Sequence, residues 1–198
     1  MRYIERLTGA APADINMPPH LAPASAQGAV LESVTLASEL RSYLANHRSA
    51  VEAKVRTGEA EAGLPAAERL AKAYDGLFCS LFKAVECALS AKNQWTANVA
   101  LAAVGSYGRG ALALHSDLDV RLVTSGRAEK VRHIAEAVLY PLWDAGLSIG
   151  HQIVTPADQL ELAKTDLPTA TALLDFRLLA GDRATTDKML ERAYDGLF

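Results

Sequence analysis

Long apolar stretches are missing from this sequence. No run reaches 18 residues, which leaves no candidate for a membrane-spanning helix. A basic excess is missing too: 20 Lys and Arg stand against 23 Asp and Glu, for a net charge of −3. That balance argues against generic nucleic-acid binding. Only two cysteines occur, Cys79 and Cys87. On one helix this spacing is too wide for a disulfide, so both read as free core thiols in a reducing cytoplasm. The opening MRYIERLTGA is basic, yet no apolar segment follows it, so a secretory signal is not expected. What is present, 50% hydrophobic and 22% charged residues over 198, suits one soluble domain with a sizeable core.

Residues 8–28 carry Pro, Ala and small polar residues without periodicity, and read with the residues before them as a flexible N-terminal arm over 1–28. From 29 to 60, Val30, Val34, Ala37, Leu40, Leu44 and Val51 recur at helical spacing. EAGLP at 61–65 breaks the pattern, and a second helix is expected over about 65–92, weakened locally by Gly76. NVALAAV at 98–104 reads as a buried strand stopping at Gly105. DLDVRLVT at 117–124 alternates, with Leu118, Val120 and Leu122 on one face and Asp117, Asp119 and Arg121 on the other. A helix over 127–145, a strand over 147–154, and helices over 156–163, 168–180 and 184–198 complete the expectation. AYDGLF occurs at 73–78 and again at 193–198, too little to define a repeat. The fold class is α+β: a small sheet of three or more strands packed with helices, behind a helical hairpin.

The chemistry concentrates in VGSYGRGALALHSDLDV, residues 104–120. A strand delivers the chain to Gly105-Ser106, where glycine permits a tight turn and close approach of a ligand. The residues that follow open a short helix whose first N–H groups suit a phosphate, and Ser106 adds a hydroxyl. Ten residues later Asp117 and Asp119 point to one side of a strand. Two carboxylates beside a phosphate cradle suit Mg²⁺ shared with phosphate oxygens. An isolated Asp-x-Asp is common on solvated strands; the turn, the spacing and both strands together make the pattern narrower.

These residues resemble the signature of the DNA polymerase beta-type nucleotidyltransferase superfamily. Within it the chain is most similar to the nucleotidyltransferase domain of the bifunctional PII uridylyltransferase/uridylyl-removing enzymes. LWDAGLSIGHQIVT (142–155), DLPTATALLDFRLLAGD (166–182) and the helix around ERLAKAYDGLF extend the likeness to about 65–182. The resemblance implies a small mixed sheet of that fold, with a 29–95 hairpin ahead of a 96–198 nucleotidyltransferase core. It implies that Gly105 and Ser106 hold the β- and γ-phosphates, that Arg109 lies near them, and that Asp117 and Asp119 ligate catalytic Mg²⁺. An acceptor hydroxyl would attack the α-phosphorus and pyrophosphate would leave. In that family the donor is UTP and the acceptor a tyrosine of the PII protein of nitrogen regulation.

Departures from the family pattern are local. Ser106 stands where glycine is usual, Val154 where an arginine is usual, and Arg121 where an apolar residue is usual. Arg121, on the face of the aspartates, is a candidate to replace the charge missing at Val154; a surface ion pair with Asp119 is the plainer reading. Strand 147–154 carries no third carboxylate and offers Ser148, His151 and Gln152. Asp175 is the candidate catalytic substitute, with a pairing to Arg177 or another cation as the alternative. Ser116 is a further nucleotide-binding candidate, and His115 beside it faces either ligand or solvent. No His-Asp dipeptide occurs, so neither uridylyl removal nor glutamine sensing is expected of this chain alone. Two other readings stay open: an antitoxin-type or drug-modifying nucleotidyltransferase, and a catalytically silent nucleotide- or partner-binding domain.

Overall fold

The structure, a computed structural model, describes residues 33–58, 62–95 and 97–198. The arm read at 1–28 lies outside the described residues. Helices α1 (Ser33–Arg56) and α2 (Leu64–Ala91) form the hairpin. Pro65 sits in the first turn of α2, where its missing N–H costs nothing. The helical spacing reappears as a buried face of Leu70, Tyr74, Leu77, Phe78, Leu81 and Val85. Gly76 does not interrupt α2: it is buried in the packed face, and burial outweighs its weak propensity. Two polar ties close the hairpin, Tyr43 Oη to Ala73 O at 3.2 Å and Arg48 Nε to Tyr74 Oη at 3.1 Å.

Four strands follow: β1 (Val99–Ala103), β2 (Leu118–Thr124), β3 (Ile149–Val154) and β4 (Arg177–Gly181), in the order β3-β2-β1-β4. β1 is antiparallel to both neighbours, and β2 is parallel to β3. A parallel pair needs a crossover, supplied here by helix α4 (Ala128–Asp144). Alternation splits the core between the two faces of the sheet. Leu101, Leu118, Val120 and Leu122 join α1, α2 and α4 in one large cluster. Ala100, Ala102, Val104 and Val123 join Leu173, Phe176, Met189 and Ala193 in a smaller one. That second cluster is built by helices α6 (Leu167–Leu174) and α7 (Arg183–Gly196), with α5 (Pro156–Ala163) at its margin.

Two expectations are corrected. Residues 168–180 are not one helix: α6 stops at Leu174, and Arg177–Gly181 pairs with β1 as a strand. Short apolar runs such as FRLLAG fit either state by periodicity. The decision is tertiary, because without β4 the fully buried β1 would leave one row of backbone groups unpaired. Nor are both thiols in the core. Cys79 is half-buried and donates to Leu179 O at 3.1 Å, but Cys87 is exposed. Burial pushes the Cys79 thiol up to about 11. Among the described residues no helix is long and apolar enough to cross a membrane.

Candidate active site

β1 is followed by Val104, whose N–H donates to Asp119 O at 3.0 Å and so locks the turn to the start of β2. Gly105 then adopts φ +60°, a conformation that side-chain-bearing residues rarely take. One helical turn follows, α3 (Gly105–Gly108), closed by Gly108 N–H to Val104 O at 2.9 Å and Arg109 N–H to Gly105 O at 3.0 Å. The N–H groups of Ser106 and Tyr107 head this turn, ahead of its first internal bond. Tyr107 is fully buried against Phe78 and Tyr74, with ring centroids 5.7 and 6.4 Å away, and anchors the turn from below. Burial holds its phenol well above the usual range. Gly108 has no room for a side chain: a methyl group there would overlap the Asp175 carbonyl oxygen.

Asp119 lies half-buried in β2, and Asp117, immediately ahead of that strand and two residues before Asp119, lies exposed. Asp119 is opposite Gly150 of β3. A methyl at Gly150 would overlap Asp119 Oδ1, while Oδ2 lies 3.5 Å from where a Gly105 Cβ would stand. The carboxylate is thus seated between the glycine turn and a glycine of the neighbouring strand. The sequence reading missed Gly150, although a glycine inside a strand signals close approach of another group. Gly150→Ala is expected to displace the carboxylate and cost about a hundredfold in turnover. Because β3 is an edge strand, the melting temperature should move little; steady-state kinetics beside calorimetry checks both.

Arg121 shares the face of Asp119 and is opposite Gln152. Val154 lies one step further along that face, opposite Val123. The Arg121 guanidinium is half-buried, donates from Nη1 to Val120 O at 3.2 Å, and keeps Nε buried without a hydrogen-bond partner. Burial pulls its pKa below the ordinary value, and the nearby Asp119 charge works against that pull. His151 points to the opposite face, against the Trp143 ring at 5.2 Å. Ser116 is half-buried directly ahead of Asp117, and His115 is exposed.

Asp175 caps the C-terminus of α6 and accepts from Arg109 Nη1. Two candidates far apart in sequence therefore meet, and Asp175 pairs with Arg109. Arg177 instead pairs with Asp75 of α2. Among the described residues, no group of three His, Cys, Asp or Glu is arranged to hold a metal. The donor set still fits Mg²⁺, a hard cation that commonly takes one or two carboxylates and completes its shell from phosphates and water. Asp119, beside the glycine turn, and Asp117, two residues before it, are the residues that would supply those carboxylates.

Residues 51–158, more than half of the chain, match the family model described as "Putative nucleotidyltransferase DUF294". A Streptomyces coelicolor protein named bifunctional uridylyltransferase/uridylyl-removing enzyme is 37% identical over 139 residues, covering 70% of this chain and 16% of the relative. Proteins of the same name from Bradyrhizobium sp. (strain ORS 278) and Novosphingobium aromaticivorans are 31% identical over 156 residues and 41% over 98. These alignments cover 77% and 49% of this chain, and 16% and 11% of those relatives. The chain thus spans about a sixth or less of the length of the curated relatives it matches. The matched region runs from the hairpin through the glycine turn and both aspartates to β3, and on this ground the chain belongs to the DUF294 family of nucleotidyltransferase enzymes.

Proposed function

We propose that this domain transfers UMP from UTP to a tyrosine hydroxyl of a PII-type signal protein, releasing pyrophosphate, in the cytoplasm. The observation that carries the reading is the seat of Asp119 between Gly105 and Gly150. Uridylyl transfer is supported by the names of the relatives, and the acceptor by the likeness of the glycine and LWD segments to the PII-modifying family. The acceptor oxygen forms a bond to the α-phosphorus, the bond to the bridging oxygen breaks, and the electron pair leaves with pyrophosphate. The turn N–H groups and the Ser106 hydroxyl bind the departing phosphates. Asp117 and Asp119 would hold Mg²⁺, which would supply neutralising charge to the phosphate oxygens. Arg109 reaches the phosphates by leaving Asp175, and the freed Asp175 carboxylate takes the acceptor proton.

The test is incubation with α-labelled UTP, Mg²⁺ and a PII-type protein, beside an Asp117→Ala/Asp119→Ala variant. Label on the acceptor that disappears in the variant and with chelator supports the proposal. No label, with equal UTP binding by both forms, would favour a silent nucleotide-binding domain. The Arg109–Asp175 pairing is the observation on the side of that second reading.

Arg121 belongs to the same proposal as a compensating cation. Its buried, unpartnered Nε is a cost to the fold. Arg121→Leu is therefore expected to raise stability by about 1 kcal/mol while weakening UTP binding roughly tenfold. Titration calorimetry alongside thermal melting reads both. Unchanged affinity would remove Arg121 from the site.

A further inference from the structure

Arg177 begins β4 opposite Ala103, at the end of β1 that leads into the glycine turn. Its side chain is 18% exposed, and that of Asp75 only 13%. Nη1 and Nη2 donate to the two oxygens of Asp75 at 2.8 and 3.0 Å, a bidentate pair. Nη2 also donates to Tyr107 O at 2.9 Å, and Nε to Gly108 O at 3.0 Å. The guanidinium carbon lies 5.5 Å from the centroid of the Tyr107 ring. One arginine thus joins α2, β4 and the last two carbonyls of α3.

A single helical turn leaves its last carbonyls short of partners; here Tyr107 O also accepts from Gly110 N–H at 3.0 Å, and Arg177 Nε supplies the donor for Gly108 O. A four-residue helix has little stability of its own, because nucleation costs more than one turn of hydrogen bonds returns. A cation at its C-terminal end gives Gly108 O a partner, adds a second donor to Tyr107 O, and opposes the negative end of the turn's dipole. An ion pair this shielded is in itself weak evidence for stability, since desolvation offsets most of its attraction. What the bidentate geometry supplies is direction: α2 holds Asp75, Asp75 holds the guanidinium plane, and that plane sets where the turn sits.

We propose that Arg177, oriented by Asp75, is a positioning residue for nucleotide binding: it grips the C-terminal end of the glycine turn and so aims the N–H groups at the other end. The proposal rests on the reading that this turn holds the outer phosphates. It predicts an effect on the triphosphate that a fold-stapling role would not produce. Arg177 itself touches no nucleotide; it acts through the backbone of Tyr107 and Gly108.

The experiment titrates UTP and, separately, UMP, each with Mg²⁺, into the full chain and four variants. Arg177→Lys keeps the charge, and Asp75→Asn/Arg177→Gln keeps the shape without leaving a lone buried charge. Arg177→Ala removes the grip, and Gly105→Ala perturbs the turn directly. The expected result is UTP affinity about tenfold weaker in Arg177→Ala and in the neutral pair, UMP affinity unchanged, and partial recovery in Arg177→Lys. Folded Arg177 variants with the wild-type ratio of UTP to UMP affinity, whatever their melting temperature, would overturn the proposal. If Gly105→Ala weakens UTP and the Arg177 variants do not, only the positioning role falls. If Gly105→Ala also leaves UTP affinity unchanged, or the wild type binds no UTP, the phosphate reading of the turn falls and the positioning role falls with it.

Discussion

Asp119→Asn is expected to slow nucleotidyl transfer by about a thousandfold or more while melting within a few degrees of the wild type. Asparagine keeps the size and one carbonyl oxygen of the side chain, so the pocket between Gly105 and Gly150 stays filled. The charge is lost, and with it, on the proposed mechanism, a hard anionic ligand at the place where phosphate charge would be balanced. The amide also brings an N–H₂ group into a seat built for an acceptor. On the stability side two small effects oppose each other. Repulsion from Asp117 is relieved, and the half-buried Arg121 loses an anion that supports its charged state. Neither exceeds about 1 kcal/mol for groups this close to water, which for a chain of this length is a few degrees. Pyrophosphate release from UTP in the presence of acceptor, read beside a melting curve, checks both halves. Activity within tenfold of the wild type would show that Asp119 is not at the reacting centre.

Gly108→Ala should act in the opposite way, through the fold. A Cβ at this position overlaps the Asp175 carbonyl oxygen and lies 3.0 Å from Ala103 O. Both obstacles are backbone, and neither can rotate aside as a flexible side chain would. Relief requires separating α3 from the α6–β4 junction, which breaks the Arg177 bonds to Tyr107 and Gly108 and shifts β4 against β1. The expected cost is about 3 kcal/mol, or roughly 10 °C in melting temperature. Gly150→Ala meets only a carboxylate that can swing away, so it should damage turnover and spare the fold. The contrast between Gly108 and Gly150 is itself checkable by melting both variants under one set of conditions.

Much of the site was legible in the sequence because its signals are local. The alternation of DLDVRLVT places Asp119 and Arg121 on one face without knowledge of any partner strand, and the strand stops at Gly105 because the chain must turn there. The second helix was legible for the same reason, as an apolar face repeating every three or four residues. FRLLAG misled, because so short a mostly apolar segment satisfies a helix or a strand equally, and its state depends on β1, some 75 positions earlier. An ion pair for Asp175 was legible, but its partner, Arg177 or another cation, was not, for the same reason. Arg177 is near it in sequence, but Arg109, 66 positions away, is the cation that meets it.

By itself, then, the sequence determined the elements whose physics is contained in neighbouring residues: the hairpin, the glycine turn, the carboxylate face and the family they signify. The tertiary structure decided what depends on distant segments meeting. It set the strand order β3-β2-β1-β4, placed Gly150 against Asp119, and brought Asp75 across 102 positions to orient Arg177. Periodicity reports which way a side chain faces along its own element. Only packing, where hydrogen bonds and buried charges must all find partners at once, determines what it faces.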